Sequence, residues 1–138
     1  MIAKVFDIYV TERGWPGHFC AAAHCQFHRN TLLEKDDIRI VVSTVGNYQP
    51  PHSKKYETIG FDRYGETMAF HARWNDPYWD ADVRPSRTLS FDSDWCDSLL
   101  PDRLSDNRLD KMHEAVVEEI VQKLIDGEIE QPKEDTEE

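Results

Sequence analysis

The chain predicts an α+β fold, a mostly antiparallel sheet of about four to six strands with one long C-terminal helix packed on it, and three observations carry that prediction. Residues 38–45, Ile38-Arg39-Ile40-Val41-Val42-Ser43-Thr44-Val45, are β-branched almost throughout and apolar on both faces, as a central strand requires. Turn-forming groups then punctuate the chain, at Gly14-Trp15-Pro16-Gly17, Asp62-Arg63-Tyr64-Gly65 and Asn75-Asp76-Pro77, which suits short strands. Near the C-terminus Leu109, Met112, Val116, Ile120 and Leu124 recur at steps of three and four, the spacing of one helix face.

Taken in order, residues 2–11 alternate, with Ile2, Phe6, Ile8 and Val10 on one side, and read as one half-buried strand. The Gly14–Gly17 turn ends it. Next, Phe19, Ala21, Ala23, Cys25 and Phe27 form an apolar alternation consistent with a strand, and residues 38–45 follow as the central strand. Residues 56–60 and 67–74 read as two arms of a hairpin around Asp62–Gly65. Two short strands, near 78–83 and 87–91, are separated by Pro85. The helix is expected from Asp106 to Asp126, with Ser105 as its N-cap, Leu104 and Leu109 as a hydrophobic staple, and Gly127 as its stop.

A chain of 138 residues fits one domain and buries a core without disulfide staples. The domain is expected to span residues 1–130, and 131–138, without an apolar side chain, to form a disordered acidic tail. The N-terminus carries charge too early for a signal peptide, and no apolar run reaches the length of a membrane span. A cytoplasmic protein with reduced thiols at Cys20, Cys25 and Cys96 is the expectation.

Charge narrows the function classes. The net charge is −11, and residues 102–138 hold thirteen acids against five bases. Such a pole repels nucleic acid phosphates and anionic lipid, so neither direct nucleic acid binding nor membrane binding is expected. The natural partners are basic protein surfaces, cations, or nothing more specific than water. On the predicted helix, Asp110, Glu114 and Glu118 lie one turn apart opposite the apolar stripe, a spacing of roughly 6 Å that approximates the distance between phosphates along a DNA strand.

Three further constellations bear on chemistry. His18, Cys20, His24, Cys25 and His28 fall within eleven residues, and are zinc-ligand types. Their spacing is wrong for one ion on a regular element, because residues four apart in a strand are about 13 Å apart. A site would need help from His52, His71, Cys96 or His113, so no metal or other cofactor is expected. Asp80 and Asp82, like Asp92 and Asp94, would share a strand face, an arrangement that can hold Mg²⁺ or do acid and base work. Acids at strand ends are commonly solvated or capping. Trp74, Tyr78 and Trp79, with Trp95 beyond and several arginines nearby, have the composition of a protein contact surface. At least half of these aromatics are expected in a core beneath the helix. There is no G-x-S-x-G elbow, Walker A loop or G-x-G-x-x-G turn, so catalytic residues are not assigned.

The stretches Arg29-Asn30-Thr31-Leu32-Leu33, Ile38 to Gly46, Tyr64 to Ala72, Tyr78-Trp79-Asp80-Ala81-Asp82-Val83 and Met112-His113-Glu114-Ala115-Val116-Val117 resemble a family of small uncharacterised proteins from bacteriophages, prophages and other mobile elements, over most of residues 10–125. The resemblance implies a setting and no chemistry. Small acidic proteins of such elements often bind and disable host proteins, including restriction and CRISPR machinery, and some imitate DNA. The expected function is accordingly a non-enzymatic accessory protein that binds a host protein with a basic or DNA-binding surface, through Asp110, Glu114 and Glu118 or through Trp74, Tyr78 and Trp79. The alternative is a small hydrolase or metal-dependent enzyme using the His/Cys cluster or the Asp80 and Asp82 pair. A homodimer is compatible with either.

Overall fold

The computed structural model describes residues 2–5, 7–19, 22–54, 57, 59, 65–94 and 103–132. Its strands are β1 (Ile2–Val5), β2 (Ile8–Arg13), β3 (Cys25–Lys35), β4 (Ile38–Tyr48), β5 (Gly65–Asn75), β6 (Tyr78–Ala81) and β7 (Thr88–Asp94), followed by one helix, α1 (Arg103–Ile125). All pairings are antiparallel, in the order β1-β2-β3-β4-β5-β6, and β7 also pairs β5. An antiparallel sheet carrying one C-terminal helix is the predicted α+β fold.

Several local expectations are corrected. Residues 2–11 are two strands, because Asp7 takes a left-handed conformation (φ 66°) and Val5 turns back to pair with Ile8. The alternation from 19 to 27 is broken by a 3-10 turn at Ala22–His24, and the strand begins only at Cys25. β3 then runs on to Lys35 and pairs with β4 through the tight turn at Asp36 and Asp37, where Asp36 is again left-handed (φ 53°). The expected arm 67–74 is part of β5, but its described partners are β4, β6 and β7, while Glu57 bridges Tyr48. The turn at Asp62–Tyr64 lies outside the described residues.

The helix starts earlier than expected, so Ser105 is inside it and not its cap. At the other end Gly127 (φ 72°) and the bond from Glu128 N to Lys123 O close it where expected; this is a Schellman-type stop. The side chain of Leu104 lies outside the described residues, as do Cys20, Trp95, Cys96 and the tail from 133 onward.

Two apolar layers hold the sheet. On one face Ile8, Leu33, Ile40, Val42 and Ala69 pack beneath Val116, Ile120, Leu124 and Ile129, so the predicted stripe of α1 is the buried one. Gly65 lets the helix come close: a Cβ there would lie 2.1 Å from a Leu109 methyl. On the other face Leu32, Val41, Phe70 and Ala81 pack with Met68, Ala72 and Trp79. Neighbouring residues of β4 therefore serve opposite layers, both dry, which is why this strand reads as apolar on both faces. Each fully buried aliphatic side chain contributes roughly 1.5–3 kcal/mol. Among the described residues no helix is long and apolar enough to cross a membrane.

Candidate functional site

Polar side chains are threaded through both apolar layers. Under the helix, His113 is fully buried, with Nε2 2.7 Å from Thr31 Oγ1 and Nδ1 2.7 Å from Thr44 Oγ1. Thr44 Oγ1 is 2.6 Å from Thr67 Oγ1, and Thr31 donates to Glu12 at 2.7 Å. These bonds determine the direction of every proton. Since the Glu12 carboxylate can only accept, Thr31 spends its hydrogen there and must accept from His113, which therefore carries its proton on Nε2. Nδ1 then accepts from Thr44, and Thr44 accepts from Thr67. Burial, assisted by the positive charge of Arg29, pushes the imidazole pKa down to about 3, so the ring stays neutral and the chain of bonds is closed.

The acids of the helix face are placed by the same region. Arg29 on β3 pairs with Glu12, reaches Glu114 Oε1 at 2.6 Å and Asp110 Oδ1 at 3.4 Å. Asp110, Glu114 and Glu118 do reach solvent, but two of the three share one guanidinium. The expected ridge is thus partly neutralised by a cation from another element, a pairing invisible to helical periodicity.

On the opposite face a second histidine is held between a hydroxyl and a carboxylate. His18, on the segment leading from Gly14-Trp15-Pro16-Gly17, places Nδ1 2.7 Å from Ser43 Oγ and Nε2 3.2 Å from Glu66 Oε1. All three residues are buried. By the same acceptor argument His18 carries its proton on Nε2 toward Glu66, and Ser43 donates to Nδ1. Next to it, fully buried Asn30 accepts two bonds from Arg13 through Oδ1, at 3.0 and 2.8 Å. Arg13 only donates, so the amide cannot be turned round, and Asn30 Nδ2 has no partner among the described residues. Gly17 covers this spot: a Cβ on it would lie 2.8 Å from Ser43 Oγ and 3.0 Å from Asn30 Nδ2. A groove of about 470 Å³ runs past it, lined by Gly17, His18, Phe19, Ala23, Asp80 and Val83 among others.

The His/Cys cluster is dispersed. His18 joins Ser43, Cys25 is buried against Val45 and Ile59, and His24 and His28 are exposed. Burial raises the Cys25 thiol to about 11, so it is a poor nucleophile. Among the described residues no group of three or more His, Cys, Asp or Glu is arranged to hold a metal ion. The expected face-sharing pair of acids also separates. Asp80 lies on β6, but Asp82 falls beyond that strand, buried, and takes two bonds from Arg84 at 2.8 and 2.6 Å, which lower its pKa. The ion pair pins the excursion between β6 and β7. Of the second pair, Asp92 is exposed on β7 and the Asp94 side chain lies outside the described residues.

The aromatic run divides between surface and packing. Trp74 is 53% exposed, Tyr78 40% and Trp15 38%. Trp74 faces Trp79 across the β5–β6 hairpin with ring centroids 5.4 Å apart, and Trp15 meets Tyr78 at the same distance. Arg39 stacks over Trp79 at 4.4 Å and Arg13 over Trp15 at 4.7 Å, while Arg13 also bonds the Trp79 carbonyl. The hairpin is thus clamped to the sheet by its inner aromatic and still presents aromatic surface outward.

Ser43 and Thr44 were not expected as site residues, because small polar residues inside a β-branched run look like strand filler, and nothing in the local sequence marks Asn30 or Glu66. Comparison with protein-family models, with curated proteins and with solved structures finds no match, and the reading of these sites rests on their geometry.

Proposed function

We propose that the chain acts by binding another protein through the β5–β6 hairpin, as an accessory factor of the phage or mobile-element kind in the cytoplasm of a bacterial host. The observation that carries this reading is the exposure of Trp74, Tyr78 and Trp15 while each is oriented by a ring or guanidinium neighbour. Aromatics held this way bury much area at little entropic cost, as the anchors of protein interfaces do. The chain's net charge of −11 favours a partner whose contact has an apolar pocket and a basic rim. The acidic ridge contributes steering, with Glu118 the member that Arg29 does not reach.

Affinity capture from host lysate tests the assignment. Proteins recovered by the wild-type chain should be lost with Trp74→Ala/Tyr78→Ala, while the melting temperature moves little. Replacing Asp110, Glu114 and Glu118 by Asn or Gln should weaken capture less, and mainly at low salt. Equal recovery by the wild-type and hairpin variants would refute the hairpin as the contact.

A further inference from the structure

We propose that Ser43, His18 and Glu66, with Asn30, form a nucleophilic acyl-transfer site that accepts small carboxylic esters from the groove beside Gly17. This proposal is independent of the hairpin surface.

The parts are in the required relation. A serine nucleophile needs a base on its hydroxyl, and that base needs an orienting acceptor on its other nitrogen. His18 takes the Ser43 hydrogen bond at 2.7 Å and gives its own N–H to Glu66 at 3.2 Å. The developing oxyanion needs a donor with nothing else to do. Asn30 Nδ2 is such a donor: buried, fixed in direction by Arg13, and unpartnered among the described residues. Nucleophile and donor also converge. The point where residue 17 lacks a Cβ is 2.8 Å from Ser43 Oγ and Cβ and 3.0 Å from Asn30 Nδ2, so hydroxyl and amide face one spot, which a carbonyl can take only once Gly17 moves away.

Ser43 itself is fully covered, so the Gly14–Gly17 segment must lift for a substrate to enter. Gly17 is the last residue of that cover and His18 the first of the site. The cover, Gly17 included, must therefore swing about the Gly17–His18 link while His18 keeps its two hydrogen bonds. The apolar side chains of Phe19, Ala23 and Val83 in the groove suit a short apolar acyl or alkyl group.

In the reaction Ser43 Oγ bonds to the acyl carbon as its proton passes to His18 Nδ1. The C–O bond to the alcohol then breaks, and the alcohol leaves with that proton. A water attacks the acyl-serine, gives its proton to His18 Nδ1, and the carboxylic acid departs as Oγ regains a hydrogen. Glu66 is a positioning residue and touches no substrate.

The test is covalent labelling of the full chain with an alkyl fluorophosphonate at pH 8, which expels fluoride as Ser Oγ bonds to phosphorus, followed by peptide mass mapping. Modification of Ser43 is expected, together with slow hydrolysis of p-nitrophenyl acetate that Ser43→Ala abolishes. His18→Gln should slow labelling roughly a hundredfold, and Asn30→Asp, which keeps a partner for Arg13, should slow ester hydrolysis by a similar factor. Glu66→Gln should displace the pH profile of labelling, and Glu66→Asp should restore much of it. Gly17→Ala sets a methyl where the reacting carbonyl would sit, 2.8 Å from Ser43 Oγ, and should slow labelling. Absence of a Ser43 adduct from the wild-type chain overturns the proposal, as does a Ser43 adduct that forms equally fast in His18→Gln.

Discussion

Ser43 and Thr44 are neighbours on β4, and each sets a hydroxyl 2.7 Å from an imidazole nitrogen, on opposite faces of one sheet. The ingredients match: hydroxyl, histidine, carboxylate and arginine occur on both sides. Enclosure differs. Thr44 lies beneath a 23-residue helix, in a chain of hydrogen bonds running from Thr67 through His113 to Glu12 with each proton assigned. Ser43 lies beneath one short segment beside a groove, next to an amide that has spare donors. Buried polar groups that are fully satisfied rigidify a core, whereas an unmet donor marks a place prepared for something else. Which reading applies is decided by what covers the group, not by the residue types.

The harshest way to break the comparison is to remove the cover of the closed face. Ile120 is fully buried at the centre of the helix stripe, and Ile120→Asp would bury an unpaired carboxylate against Val42 and Leu33. A loss of about 4 kcal/mol or more is expected, a large share of the roughly 5–15 kcal/mol that holds an ordinary domain. Circular dichroism during urea titration measures it. Wild-type stability in this variant would mean that the helix does not seal this face.

Substituting each hydroxyl sharpens the contrast. Thr44→Val is nearly isosteric but strands His113 Nδ1 without a donor and Thr67 without an acceptor, both dry, at an expected cost of about 2–3 kcal/mol. Ser43→Ala strands only His18 Nδ1, beneath a single short segment, and should cost about 1–2 kcal/mol. Equal losses in urea melts would show that the two faces are equally closed.

How much of this could be read beforehand follows from the same contrast. The helix stripe was legible because Leu109, Val116, Ile120 and Leu124 repeat at the helical period and face one apolar layer. β4 was legible because β-branched residues fill it. β3 was not, since its first half, Gln26 to Thr31, is polar but for Phe27, and its partners lie elsewhere: Arg29 with the helix acids, Asn30 with Arg13, Thr31 with His113. The turn at Asp7 was hidden because a single left-handed residue leaves the flanking alternation almost intact. The candidate site draws on residues 18, 30, 43 and 66 of four separate segments, and no local spacing rule can join these. Of the aromatics, Trp74 and Tyr78 were rightly suspected of being at the surface, while Trp79 is packed against Arg39 and the sheet.

Acid should discriminate the faces as well. His113 has a folded pKa of about 3 against an ordinary 6.5, so below 6.5 the unfolded chain takes up a proton that the folded chain refuses. The stability tied to its neutrality is present in full above pH 6.5 and is lost as pH falls toward 3, by about 1.4 kcal/mol per unit. Roughly 2 kcal/mol should be gone by pH 5 from this group alone. His113→Gln should start less stable at pH 7 and show a shallower decline across pH 6.5 to 5 in parallel urea titrations. An unchanged slope would mean that His113 titrates in the folded protein and that the face is wetter than its geometry implies.

A small effect on stability is expected at the mouth of the closed face, where Arg29 reaches the helix acids. Its helix partners Asp110 and Glu114 have side chains 50% and 59% exposed, so solvent screens those pairs, and Arg29→Met, which keeps the aliphatic stem but also frees the less exposed Glu12, should cost about 1–2 kcal/mol. The electrostatic consequence is larger than the energetic one. Without the guanidinium, Asp110, Glu114 and Glu118 form an uninterrupted acidic line, and attraction to any basic partner that reads this ridge must rise at low salt. If the hairpin is the contact, capture should change little and should still fail with Trp74→Ala/Tyr78→Ala. Capture that strengthens several-fold with Arg29→Met at 50 mM salt, a low-screening condition, and survives loss of the hairpin aromatics would instead move the binding surface to the helix.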